Sequence, residues 1–267
     1  MKRILALTLA AAMLLCGCGE LIPGRGNAEA AQNSQAAEDL AVTAAETTAQ
    51  PTTEPTTVPT EPPVYRNPMN GKLLDAPFEG RIYASTVSNL RENLPHVGVI
   101  YADVVMEMYV NMNNVVRCLA LFSDIESVKA IGSTRSTRPI FNQIAQHYDL
   151  ILAHAGGSSS ALADAKERGI ENFNIESWDV MQEVTTSYRD KEYKRSLENS
   201  LFGIGAGYKE YAEKQGWPQT LDRDYGFRFT EDGTPAAGED ASDITIHLNY
   251  KQAKKDTQMI YNAETGK

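Results

Sequence analysis

Residues 19–63 consist mainly of Ala, Glu, Gln, Thr and Pro with almost no large apolar side chain, and they close on Pro51-Thr-Thr-Glu-Pro-Thr-Thr-Val-Pro-Thr-Glu-Pro-Pro63. Such a stretch cannot bury enough apolar surface to offset the entropy of ordering it. Any core must therefore be built from residues 64–267, about 200 in number. That suffices for one large domain, or for a medium domain and the start of another. As a tether the segment has a root-mean-square reach of roughly 40 Å, more where proline stiffens it.

The residues before the tether explain what it is tethered to. Met1-Lys2-Arg3 is followed by a largely apolar run, 4–15, and then Cys16-Gly17-Cys18. This is the charged, apolar, small-residue order of a secretory signal peptide. Twelve residues are too few to span a bilayer as a helix. Gly17 directly before Cys18, with Leu15 three before it, is the pattern of a lipoprotein signal, so Cys18 is expected to be the lipid-bearing first residue of the mature protein. Cys16 follows the bulky Leu15 and goes with the signal. The organisation read from these features is a signal at 1–17, a lipid-anchored tether at 18–63, and a folded part displayed on the extracytoplasmic side of the cell membrane. Cys118 is then the one remaining thiol, too few for an internal disulfide, and its apolar surroundings make it a buried structural cysteine.

The formal charge of −10 leaves −6 on residues 64–267, with 28 acids and 22 bases and no basic run. This speaks against nucleic acid and against electrostatic docking on anionic lipid. The lipid on Cys18, not charge, is the expected membrane contact.

Within the folded part, residues 81–87 alternate as a strand, and 102–110 and 115–123 read as a hairpin around Asn111-Met112-Asn113-Asn114. A short strand at 128–131 leads into the polar loop Gly132-Ser-Thr-Arg-Ser-Thr-Arg-Pro139, whose proline suits the first turn of a helix over 139–148. Residues 150–153 form an apolar run expected to be buried on both faces, followed by a helix at 161–168 and a strand at 172–175. Segments 188–199 and 206–215 lean helical around glycines 203, 205 and 207. Residues 227–229, 244–248 and 257–261 are strand-like. The fold class is α/β, with α+β as the alternative: a mixed sheet with flanking helices at 64–218, followed by the beginning of a β-rich domain at 219–267, whose last strand ends in a turn-rich stretch expected to lead into a further strand that does not follow.

His-Glu-x-x-His, Gly-x-Ser-x-Gly, Ser-x-x-Lys and a phosphate loop are all absent. The four histidines have no metal-ligand spacing, and neither metal nor cofactor is expected. Gly203-Ile-Gly-Ala-Gly207, without an expected preceding strand, is read as a connection and not as a dinucleotide fingerprint. The constellation that can carry chemistry is His154-Ala155-Gly156-Gly157-Ser158 at the end of a strand. A glycine turn opening a helix offers backbone N–H groups and a positive dipole end to an anion, and ligands of open α/β sheets bind beyond strand carboxyl ends. Arg135 and Arg138 sit on another strand-to-helix loop that can share that edge and pair with a carboxylate or phosphate. The opposing reading is a tight turn with Ser158 as helix cap and arginines bridging surface acids. Glu107, Asp149, Arg189 and Asp190 are lesser candidates.

Several segments in order resemble the YerB-like lipoproteins of Gram-positive bacteria, whose shared part is known as domain of unknown function 3048. Asn67-Pro-Met-Asn-Gly71 resembles that family's Asn-Pro-Leu-x-Gly, and Ala102-Asp-Val-Val-Met-Glu107 its Ala-Asp-Ile-Val-Tyr-Glu. Residues 117–122 resemble Arg-Phe-Leu-Ala-Ile-Phe with Cys118 in place of the aromatic, 131–139 resemble Ile-Gly-Pro-Val-Arg-Ser-Ala-Arg-Pro, and 148–157 resemble Tyr-Asp-Ala-Ile-Leu-Val-His-Ala-Gly-Gly. The likeness spans about 67–205. Where members often carry a histidine in Glu-His-x-x-Phe-Thr, this chain has Asn199, and Gly203 replaces the threonine. The resemblance implies a lipoprotein and a fold but no reaction, and it shifts weight toward a functional cleft at Arg135, Arg138, His154, Gly156 and Gly157.

Two functions follow as expectations. The first is a non-enzymatic, membrane-tethered envelope protein that binds a wall fragment or a partner protein through that cleft. The alternative is a hydrolase-like enzyme acting on wall polymer or peptide, with His154 as base and Arg135 or Arg138 stabilising charge.

Overall fold

A computed structural model describes residues 63–110, 115–230, 238–239, 241–250 and 253–264. Cys18, the tether and the 111–114 turn lie outside the described residues. In chain order the elements are β1 (Tyr65–Arg66), β2 (Leu73–Leu74), β3 (Tyr83–Ser88), β4 (Val104–Tyr109), β5 (Val116–Phe122), β6 (Ile131–Gly132), α1 (Pro139–Tyr148), β7 (Ile151–His154), α2 (Ser159–Arg168), β8 (Asn172–Asn174), α3 (Trp178–Glu183), β9 (Ser187–Arg189), β10 (Leu201–Gly203), α4 (Gly205–Lys214), β11 (Asp243–Tyr250) and β12 (Ala253–Ile260).

The main sheet has the order β4-β5-β3-β7-β8. β4 and β3 flank β5 antiparallel, whereas β7 pairs with β3 and β8 with β7 in parallel. This is the mixed sheet with flanking helices that the hydrophobic pattern implies, in an α+β arrangement with further small sheets. Every residue of β3, β5 and β7 is buried, so both faces are covered. Because successive side chains point to opposite faces, each central strand feeds two cores. Tyr83, Val87, Cys118, Ala120, Phe122, Ile151 and Ala153 join one with Tyr208, Tyr211 and Ala212 of α4. Ile82, Ala84, Leu119, Leu121, Leu150 and Leu152 join the other with Phe141 and Ala145 of α1.

Local chemistry fixes the helix ends. Pro139 opens α1, where its missing N–H costs nothing, and Asp149 closes it in the left-handed conformation, its N–H donating to the Ala145 and Gln146 carbonyls. Ser158 caps α2 by accepting from the Ala161 N–H, and Gly169 ends it at φ 64°.

Three local expectations are corrected. Residues 188–199 are not a helix: β9 and a single turn at Leu197–Asn199 occupy them, because the segment pairs with β10. The glycine run does follow a strand, β10, and opens α4. A Cβ on Gly205 would lie 1.9 Å from the Ile125 carbonyl oxygen, and one on Gly207 2.2 Å from that of Thr185, so these glycines permit close backbone packing, not flexible connection. Residues 227–229 form no strand. Beyond them, β12 pairs antiparallel with β11, Thr257 opposite Ile246 and Lys255 opposite Leu248.

Candidate functional site

The loop between β6 and α1 crosses the carboxyl end of β3 and lies against the loop after β7. The Arg135 N–H donates to the Thr86 carbonyl (2.9 Å), the Ala155 N–H to that of Arg135 (2.9 Å), and the Thr137 N–H to that of Gly156 (2.9 Å). The two strand-to-helix loops singled out in the sequence are therefore neighbours on one sheet edge. They adjoin the small sheet β6-β10-β9, with the Thr134 N–H donating to the Leu201 carbonyl (2.9 Å).

Between these elements opens a cleft of about 410 Å³. Thr134, Arg135, Ser136 and Ala155 contribute one side, and Glu176, Arg189, Leu197, Glu198 and Leu201 the other. Arg135 donates through Nη1 to the Glu198 carbonyl (2.8 Å) and to Asn199 Oδ1 (3.0 Å), and through Nη2 to the Glu198 carboxylate. That guanidinium holds the Glu198 carboxyl below its ordinary pKa. Arg189 Nη2 meets Glu176 Oε2 at 2.6 Å, and its Nη1 donates to the Leu197 carbonyl at 2.6 Å. Two ion pairs thus frame the opening, the Arg189–Glu176 pair exposed and the Arg135–Glu198 pair exposed on the carboxylate side. Asn199 stands at the position where the resemblance leads one to expect histidine, and it contacts Arg135.

The other candidates take structural places. His154 is 2% exposed and does not line the cleft. Its Nε2 lies 3.1 Å from Asn172 Oδ1, and since the Asn172 amide nitrogen is donating to the Ile170 carbonyl, the histidine supplies the proton. Burial pushes its pKa down, which leaves the ring neutral. Gly156 sits at φ 67°, and its N–H donates to Asn174 Oδ1 (3.0 Å), so this group is consumed internally. A Cβ on Gly157 would lie 2.8 Å from Leu162 Cδ2; the glycine lets the loop approach α2. Ser158 is the α2 cap. Arg138 is half-buried, donating to its neighbour's carbonyl, Thr137 O, at 2.7 Å. Asp190 caps its own turn by accepting from the N–H groups of Glu192 and Tyr193. Glu107 lies elsewhere: it binds Asn89 Nδ2, Lys255 Nζ and Thr257 Oγ1 (2.6 Å) and so fastens β12 to β4.

Sequence reasoning missed Arg117. It occupies β5 between Val116 and Cys118, 5% exposed, and Nη1 donates to the Ser136 carbonyl. The signal was present, since an arginine in an otherwise apolar strand is costly unless something requires it. Glu176 and Glu198 were also missed, because pairing across loops leaves no local pattern. Among the described residues no group of His, Cys, Asp and Glu is placed to hold a metal ion, and no helix is long and apolar enough to cross a membrane.

A mixed five-stranded sheet with helices on both faces, and a cleft over its strand ends into which Arg135 and Arg189 open, define an α+β fold. Residues 72–218 match the family model described as protein of unknown function (DUF3048), N-terminal domain, and the chain belongs to this family. Its fold is similar to the crystal structure of the YerB protein from Bacillus subtilis, with a TM-score of 0.60 and 19% identity over 75% of this chain. The match covers 64% of that protein's length. No curated protein matches.

Proposed function

We propose that the protein is a lipoprotein anchored through Cys18 on the extracytoplasmic face of the cell membrane, where the cleft beside Arg135 takes an anionic or polar ligand, a wall fragment or a segment of a partner protein, without chemical turnover. One observation carries the reading. Arg135 and Arg189 open into a common cleft and are held there by Glu198 and Glu176, exposed carboxylates that a ligand anion can displace at little cost, since surface ion pairs contribute only about 0–1 kcal/mol each. The buried His154 is not accessible as the base that a hydrolytic alternative would assign to it. The signal and tether at 1–63 support the location.

The test has two arms. Capture of solubilised wall fragments or envelope proteins by the full-length protein should fall by about tenfold or more in Arg135→Ala, with Arg189→Ala and Arg138→Ala as companions, as loss of a charged contact predicts. Unchanged capture in all three variants would remove the cleft from the reading. Metabolic palmitate labelling should mark the wild type and not Cys18→Ser; equal labelling, or equal release of both from membranes, refutes the anchor.

A further inference from the structure

We infer that the ligand of the cleft is a zwitterion, a short peptide or a free amino acid, whose carboxylate goes to Arg135 and Arg189 and whose ammonium goes to Glu176 and Glu198. This rests on the cleft reading above and narrows its ligand chemistry.

Arg135, Glu176, Arg189 and Glu198 line one and the same cavity of about 410 Å³. Its walls therefore carry two guanidiniums and two carboxylates, and their formal charges cancel. The pairing is one to one: Glu198 meets Arg135, and Glu176 meets Arg189 at 2.6 Å. Among the described residues neither carboxylate has a second ion-pair partner. An anion that takes both arginines leaves two glutamates unneutralised in the space it occupies, and like charges at close range repel. A cation that takes both glutamates meets the mirror image of that cost from the guanidiniums. A ligand that brings one charge of each sign neutralises what it displaces.

Hydrogen-bonding capacity remains on both sides of the cleft. Each ion pair engages one carboxylate oxygen, Oε1 of Glu198 and Oε2 of Glu176, which leaves Glu198 Oε2 and Glu176 Oε1 to accept from an ammonium. Both arginines are engaged through their Nη atoms, which leaves each Nε–H to donate to a carboxylate. One ligand group can serve each pair, because a carboxylate has two oxygens and an ammonium three donors. Leu197 and Leu201 line the same space. They give the carbon skeleton of an amino-acid residue an apolar contact that an inorganic ion cannot use.

Calorimetric titration of the full-length protein with alanyl-alanine at neutral pH and fixed ionic strength tests this. The comparison ligands are N-acetyl-alanyl-alanine, which keeps only the carboxylate, alanyl-alanine amide, which keeps only the ammonium, and free alanine. The dipeptide should bind, and blocking either end should weaken binding by about tenfold or more, the loss of one charged contact. Glu176→Gln and Glu198→Gln decide by sign. For a plain anion, removing a competing carboxylate tightens binding; for a zwitterion, each glutamine should weaken binding of the free dipeptide about as much as Arg189→Gln does. Alanine binding as tightly as the dipeptide identifies a single amino acid as the ligand, and weaker binding of alanine identifies a peptide. No binding of the dipeptide, equal binding of either blocked form, or dipeptide binding undiminished in both glutamine variants overturns the inference. The blocked peptides need no variant, so they decide even if a substitution disturbs folding. If the inference is overturned while Arg135→Ala still abolishes wall-fragment capture, the cleft stands and only the zwitterion assignment falls.

Discussion

Arg117 reaches from the middle of β5 to donate to the backbone carbonyl of Ser136, 19 residues further along the chain, and so places a buried positive charge directly beneath the loop that shapes the cleft. In a strand whose other side chains are apolar or a thiol, the contact ties the sheet core to the loop beside the cleft.

Removing that charge should not weaken the unliganded fold. Replacing a buried ion by an apolar side chain of similar length is often neutral or stabilising, so Arg117→Met should unfold in urea within about 1 kcal/mol of the wild type or above it. A loss of more than about 3 kcal/mol would show that the guanidinium holds the fold together.

Gly205 is a packing requirement. A Cβ there would sit 1.9 Å from the Ile125 carbonyl oxygen and 2.6 Å from that of Val128, both backbone atoms that cannot swing aside. Gly205→Ala should cost about 2–3 kcal/mol by chemical denaturation, despite alanine's better helix propensity. An unchanged midpoint would mean that α4 can shift away from the 125–128 segment.

Acid should destabilise the fold through the buried His154 and the half-buried His96. His96, whose Nε2 meets the Ser88 carbonyl, and His154 both have pKa values lowered from 6.5, principally by burial. The unfolded chain then binds protons before the native state does, so stability is full above pH 6.5 and declines as the pH falls below it. Urea midpoints at pH 7.5 and 5.5 should differ in that direction, and His154→Gln should flatten the slope. A midpoint independent of pH over this window contradicts both assignments.

Cys118 should be inert until the protein unfolds. Burial raises its pKa to about 11, and the thiolate is the reactive form. Iodoacetamide should label the membrane-extracted mature protein negligibly when native and at one thiol in denaturant. Rapid native labelling would place Cys118 in a more open environment, and two labelled thiols in denaturant would mean that Cys18 carries no lipid.

Glu107 should act on the hairpin and not on the cleft. Glu107→Ala removes the acceptor for Lys255 and Thr257, so amide exchange across β12 should quicken while that of β7 stays unchanged. Equal exchange in both proteins would show that the hairpin is held by other contacts.

The sequence by itself determined where a core can form, because residues 19–63 carry almost no large apolar side chain to bury. It also determined the strands of the main sheet, the double-sided burial of β7 and the ends of α1 and α2, because apolar patterning, proline and capping chemistry act over a few residues. It placed the two loops that meet at the cleft, since each stands between a strand and a helix. Only the tertiary structure decided that His154 is buried, that Gly156 and Ser158 spend their polar groups on Asn174 and on α2, that residues 187–203 form a second small sheet, and that Arg117 lies beneath Ser136. Most of those facts depend on contacts between residues 18 or 19 positions apart, whereas the Ser158 cap is local. Burial and pairing of charge are properties of assembled neighbours, which no local spacing encodes.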